Sequence, residues 1–227
     1  MQKFMVGWLA VAGLVLGATV VAADELPLVL KEDFEQGMDR WAATDADLEM
    51  SVWKIDEADG NKFLRVTGKS KYKPPHRSPH SICWLKETSV GDFDLTVKVM
   101  NTRPEAGPHR DLCLFWGGQD AGHFYYVHLG AKPDPHSCQI FIVNDAPRKM
   151  ITENSSKGIP WENDWHTVRV KRRVADGLIE VYFDDMETPR MVARDKTFVS
   201  GKSGLGTFDD HGNFDDLELR GTKVEGS

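Results

Sequence analysis

Apolar and polar residues alternate with period two over most of this chain. From Asp92 to Met100, Phe93, Leu95, Val97 and Val99 fall on one side and Asp94, Thr96 and Lys98 on the other. That is a strand with one buried and one wetted face. Trp165–Arg172 and Leu178–Phe183 repeat the pattern as a hairpin around Ala175-Asp176-Gly177. There His166, Val168 and Val170 oppose Arg169 and Lys171, and Ile179, Val181 and Phe183 oppose Glu180 and Tyr182. Leu28–Phe34, Met50–Ile55, Lys62–Thr67, Ser81–Leu85, Met191–Arg194, Ser203–Phe208 and Asn213–Arg220 read as further strands. Turn residues such as Asp59-Gly60-Asn61 separate them, and no apolar stripe of helical period runs for three turns. Roughly a dozen short strands with dense turns predict one all-β sandwich.

The stretch from His109 to Arg148 holds three consecutive strands, Asp111–Trp116, His123–Leu129 and Cys138–Val143, in an antiparallel meander. Alternation assigns Val127, Leu129, Ile140 and Ile142 to the core, and Phe124, Tyr126, His128, Gln139, Phe141 and Val143 to the opposite face. Four of the eight histidines fall in this stretch. An aromatic face interleaved with groups that titrate near neutral pH suits stacking on sugar rings, bonding to hydroxyls and proton transfer. The candidate catalytic residues are His128, Tyr126, His109, Arg110 and Asp111. The candidate substrate contacts are His136, Asp134, Gln139, Asn144, Arg148 and Phe141, with the two arginines suited to an acidic group. Gly68–Pro79, basic and proline-containing, reads as a rim loop. No His-x-His or HExxH pair supports a zinc site.

The first 23 residues lie outside this fold. Lys3 precedes an apolar run from Phe4 to Val21, and Val21-Ala22-Ala23 supplies small residues before Asp24-Glu25. This predicts a cleaved export signal over 1–23, in preference to a retained membrane anchor, and a single domain over 24–227. Removing Lys3 takes the formal charge from −7 to −8. An acidic exported domain is a poor candidate for nucleic acid, which rewards basic patches, and no stable membrane insertion is expected once the signal is cleaved. Three cysteines, Cys83, Cys113 and Cys138, allow at most one internal disulfide, and the two strand cysteines read as buried thiols.

The opening EDFEQGMDRW, the hairpin WHTVRVKR…GLIEVYFDD and the ending GKSGLGTFDDHGNFDDLEL resemble the concanavalin A-like lectin/glucanase superfamily. Within it the pattern resembles the 3-keto-disaccharide hydrolase family and laminin-G-like modules. The resemblance implies a jelly roll of two curved antiparallel sheets with the last strand beside the first. It also implies a structural calcium ion, for which Asp33, the Gly60 turn and Asp215 occupy similar places. The glucanase pattern of two glutamates flanking an aspartate does not occur here. The expected function is a glycoside hydrolase or polysaccharide lyase acting on a poly- or oligosaccharide across the concave sheet. The alternatives are a binding module that uses the same face without turnover, and a structural surface protein.

Overall fold

The computed structural model of the chain describes residues 25–154 and 157–225, His109 by its backbone alone. The expected export segment, 1–23, lies outside them. The described residues form fifteen strands: β1 (Leu28–Glu32), β2 (Trp41–Ala43), β3 (Trp53–Ala58), β4 (Asn61–Thr67), β5 (Ser81–Leu85), β6 (Val90–Asn101), β7 (Cys113–Asp120), β8 (His123–His128), β9 (Gln139–Asn144), β10 (Lys149–Met150), β11 (His166–Arg173), β12 (Leu178–Phe183), β13 (Met191–Arg194), β14 (Lys202–Thr207) and β15 (His211–Lys223). Only a 3-10 segment, Pro104–His109, interrupts them, where sequence alone predicts an open loop.

Two antiparallel sheets result. One runs β13-β12-β11-β6-β15-β4-β3, with β1 also paired to β15; the other runs β10-β9-β8-β7-β14-β5-β2. The last long strand thus lies beside the first, as the jelly-roll resemblance predicts. The predicted β1 reaches Phe34 but ends at Glu32, because Phe34 turns to φ 55°. The Glu32 carboxylate holds this corner by accepting from the Phe34 amide and Trp41 Nε1. Alternation did not reveal β2 and β10, which are only three and two residues long.

The core lies between the sheets. Leu95, Val97, Val99, Val168, Val170, Ile179, Val181 and Phe214 face Leu112, Leu114, Trp116, Tyr125, Val127, Ile140 and Leu205. Each such side chain contributes about 1.5–3 kcal/mol by leaving water. All three cysteines are buried.

The two outer faces differ in kind. On the eight-stranded sheet, register lines up Glu180, Lys171, Asp94 and Arg220 across four strands. Arg169 grips Asp94 through two nitrogens, and Lys31 and Arg220 both reach Glu218. Alternating signs leave that face self-satisfied. The outer face of the seven-stranded sheet instead carries aromatic rings.

At one end the sheets are fastened by buried polar groups. The main-chain amide of Asp111, just before β7, donates to Asp210 Oδ2 at 2.7 Å. Asp210 lies in the connection from β14 to β15, which crosses from one sheet to the other. It also accepts from Asn101 at the end of β6 (3.1 Å) and from Arg103 (3.2 Å). The Asp111 carboxylate accepts from Thr207 Oγ1 at 2.6 Å, from the Phe208 amide at 3.3 Å and from His128 Nε2 at 2.7 Å. Arg110 points the other way. Its guanidinium bonds the Asn101 side chain and main chain and the carbonyls of Trp161 and Glu162, which ties the 161–163 loop to β6.

Burial works to raise the Asp111 carboxyl, but His128, Thr207 and the Phe208 amide outweigh it and hold the group below the usual carboxylate range. Asp210 moves oppositely, raised by burial and by the charge on Asp111. A carboxylate lowered on folding stabilises the fold above its unfolded pKa of about 4, and that contribution fades as pH falls through the lower folded value. Asp111→Asn should therefore cost roughly 3–5 kcal/mol at pH 7, as expected for one partner removed from a buried pair. Urea unfolding at pH 7 and in acid checks this: the gap between wild type and variant should shrink in acid. A gap independent of pH would remove the charge from the account.

Candidate functional site

The outer face of the seven-stranded sheet is built by register. Phe141, Tyr126, Phe115, Gly204 and Trp84 lie side by side on β9, β8, β7, β14 and β5. Phe141 stacks on Tyr126 with centroids 5.1 Å apart, Tyr126 stacks on Phe115 at 5.5 Å, and Trp84 meets Phe115 edge-on at 5.6 Å. Phe124, Val143, Cys113 and Ile82 fill in around the row. The face assignment made from alternation in β8 and β9 is therefore correct.

Its exposure is not what alternation implies. Phe124, Tyr126 and Phe141 are almost wholly buried, and His128 is 7% exposed. Chain segments remote in sequence cover them. The Arg148 guanidinium sits 4.7 Å from the Phe141 ring and 4.6 Å from the Phe208 ring, and its Nη1 donates to Tyr126 Oη at 2.8 Å. His80, from the Gly68–Pro79 side, sets its ring edge-on to Phe208 at 5.5 Å. Arg148 thus stacks between two rings of its own chain. Burial drives the Tyr126 hydroxyl far above its ordinary value, so it serves as a fixed hydrogen-bonding group and not as a base at neutral pH.

His128 and Asp111 are brought together as the sequence suggests, beside residues it did not single out. His128 Nε2 meets the carboxylate, so in the neutral ring Nδ1 faces the Ser137 hydroxyl, 3.5 Å away. Arg110 faces away and has its donors committed to the 161–163 loop. Asp134 and His136 are exposed in the turn before β9, where Asp134 Oδ1 accepts from the His136 amide at 2.6 Å. Gln139 bonds the Asp134 carbonyl. Asn144 is exposed at the far end of β9, apart from His128 at its near end. The His109 side chain lies outside the described residues.

The expected calcium ligands sit at the edge of the other sheet. Asp215 accepts from Asn61 Nδ2 at 2.9 Å and from the Asp216 amide at 2.8 Å, and Asp33 accepts from the Glu35 amide at 3.2 Å. Protein donors meet both carboxylates and leave each with further acceptor capacity. Among the described residues, Asp111, Asp209 and Asp210 are the acids that converge within 4.8 Å. Two of them carry the fastening network described above.

The open part of this face lies around Trp84. A cleft of about 320 Å³ is lined by Ala42, Thr44, Tyr72, Trp84, Gly118, Gln119, Asp120, Ala121 and Lys202. Trp84 is half-buried because its indole lies over strands that lack side chains: a Cβ on Gly118 would stand 2.6 Å from the ring, and one on Gly204 2.9 Å. Glycine in a strand interior marks such a close approach. The run Gly201-Lys202-Ser203-Gly204-Leu205-Gly206, with three glycines in six residues, is the signal in the sequence that could have located the cleft.

No protein-family model matches the sequence, and neither does any curated protein. Solved structures do match in fold. Carbohydrate binding module CBM66 from Bacillus subtilis shares 17% identity at TM-score 0.57, over 81% of this chain and 96% of that one. Domain 4 of AbnA, an extracellular arabinanase of Geobacillus stearothermophilus solved with arabinotriose, shares 12% at TM-score 0.58, over 88% and 95%. A cellulose induced protein shares 14% at TM-score 0.59, over 88% and 100%. At these identities the likeness shows the fold alone, a jelly-roll sandwich of two antiparallel sheets.

Proposed function

We propose that this chain binds a saccharide in the Trp84 cleft, on the outer face of the seven-stranded sheet. The observation that carries the reading is the half-buried indole, packed closely against Gly118 and Gly204 and bordered by Tyr72, Thr44, Gln119 and Lys202. A fixed aromatic surface takes the apolar face of a sugar ring, while the amide, hydroxyl and ammonium meet its hydroxyl groups. On the other outer face Asp94 and Glu218 are paired with Arg169, Lys31 and Arg220. Solved structures of this fold that carry arabinotriose or are named as carbohydrate binding modules support the choice of ligand class. The export signal read in 1–23 accords with a polysaccharide met outside the cell.

A second reading, turnover as a glycoside hydrolase or polysaccharide lyase, is favoured by one observation, the Ser137–His128–Asp111 chain of hydrogen bonds. Against it stands the burial of all three groups. Binding needs none of them.

The readings separate in variants assayed by retention on a polysaccharide gel and by release of reducing ends or unsaturated uronates. Trp84→Ala should weaken retention by about 2–4 kcal/mol, the scale of an anchoring aromatic. Gly118→Ala, whose new methyl group lifts the indole, should weaken retention about tenfold with little change in the unfolding midpoint. His128→Gln should leave retention unaltered. Retention unchanged in both cleft variants would sink the binding reading. Product release by wild type that disappears in His128→Gln would instead establish turnover.

A further inference from the structure

We infer that the saccharide taken by this cleft is anionic, its carboxylate or sulfate meeting the Lys202 ammonium while its ring lies on Trp84. The inference rests on the saccharide reading of the cleft.

Lys202 projects from β14 on the outer face, in register with Gly118, and is half-buried in the cleft wall. Among the described residues no carboxylate pairs with it and no acceptor bonds it. Several other surface cations are matched: Lys31 with Glu218, Lys98 with Asp216, Arg169 with Asp94 and Arg173 with Asp176. The cleft does contain a carboxylate, Asp120, but His123 Nδ1 holds it at 2.8 Å and the Gly122 amide at 2.7 Å. It is therefore committed to its own turn.

The segment that supplies Tyr72 is rich in basic residues. Lys71 and Lys73, both exposed, adjoin in sequence the Tyr72 that lines the cleft. They fall in a stretch from Gly60 to Lys86 that contains no Asp or Glu, in a chain whose net charge is −7. A neutral sugar gains nothing from a local excess of positive charge on an acidic protein. A uronate or a sulfate ester does, and an ammonium on a flexible stem accepts either as a point charge. Partial burial of Lys202 reduces the screening of that charge by water and salt.

The test uses the full chain with polygalacturonate as the carboxylated probe, dextran sulfate as the sulfated one and arabinan as the neutral one, each at low and at physiological ionic strength. Wild type should hold at least one acidic polymer about tenfold more tightly than arabinan, and less tightly as salt rises. Lys202→Gln should lose about tenfold on that polymer alone, Lys202→Arg should restore it, and Trp84→Ala should weaken it too. Preference for polygalacturonate identifies a uronate, and preference for dextran sulfate a sulfate ester. Arabinan held as tightly as the acidic polymers, with Lys202→Gln unaltered, would overturn the anionic assignment and leave saccharide binding standing. Acidic polymers held equally by Trp84→Ala would reduce the effect to bulk charge attraction and overturn it as well. Failure to hold any of the three polymers would overturn both readings.

Discussion

The structure depends on one buried charge. Asp111 is 1% exposed, and an isolated carboxylate there would be intolerable. It survives because Thr207, the Phe208 amide and His128 are all aimed at it. Those partners come from the end of β14, from the connection between β14 and β15 and from β8, so satisfying one carboxylate fixes where the chain crosses between the sheets and where β8 ends. Asp210, bonded to the Asp111 amide, Asn101 and Arg103, extends the same constraint to β6. The chemistry that the sequence offers as a catalytic constellation is, in the fold, the fastening of one end of the sandwich.

That fastening decides which part of the aromatic face stays open. Phe208 follows Thr207, so the contact holding Thr207 against Asp111 also delivers the Phe208 ring to the guanidinium of Arg148. Arg148 then covers Phe141 and Tyr126. The face is closed at this end by its own chain and open at the other, where β14 and β7 place glycines beneath Trp84. A single row of rings across five strands therefore does two jobs: its closed half is core, and its open half is surface.

Much of this was legible in the sequence. Period-two alternation gave the strands and assigned Val127, Ile140 and Ile142 to the core and Phe124, Tyr126, His128 and Phe141 to the other side. Alternation reports which way a side chain points, and it carries no information on what lies above that side. Whether Tyr126 meets solvent depends on Arg148 and Phe208, which are 22 and 82 residues away along the chain. The same limit hid Trp84. Its strand, SICWL, is apolar on both faces and reads as interior, and only the register with Gly204 shows that the indole lies over a bare patch of sheet. Arg110 illustrates a further limit: next to Asp111 in sequence, it faces the opposite way, because neighbours in an extended chain point to opposite sides.

A jelly roll has two outer faces, and nothing in its topology says which one receives a ligand. Here the distribution of satisfied groups decides. On the eight-stranded sheet Arg169 with Asp94, and Lys31 and Arg220 with Glu218, have already exchanged water for protein partners, and a sugar landing there would have to break pairs to form new ones. The Trp84 cleft offers the reverse, with a half-buried indole and the Lys202 ammonium, which no carboxylate pairs among the described residues, while Gln119 Nε2 donates to the Gly117 and Ser200 carbonyls. Binding there displaces water without dismantling anything the fold uses. Because the indole is held by the absence of two side chains and braced edge-on by Phe115 and Phe124, its orientation is set before a ligand arrives. A surface ordered in advance loses little further freedom on binding, which lets a shallow cleft hold a sugar with few contacts.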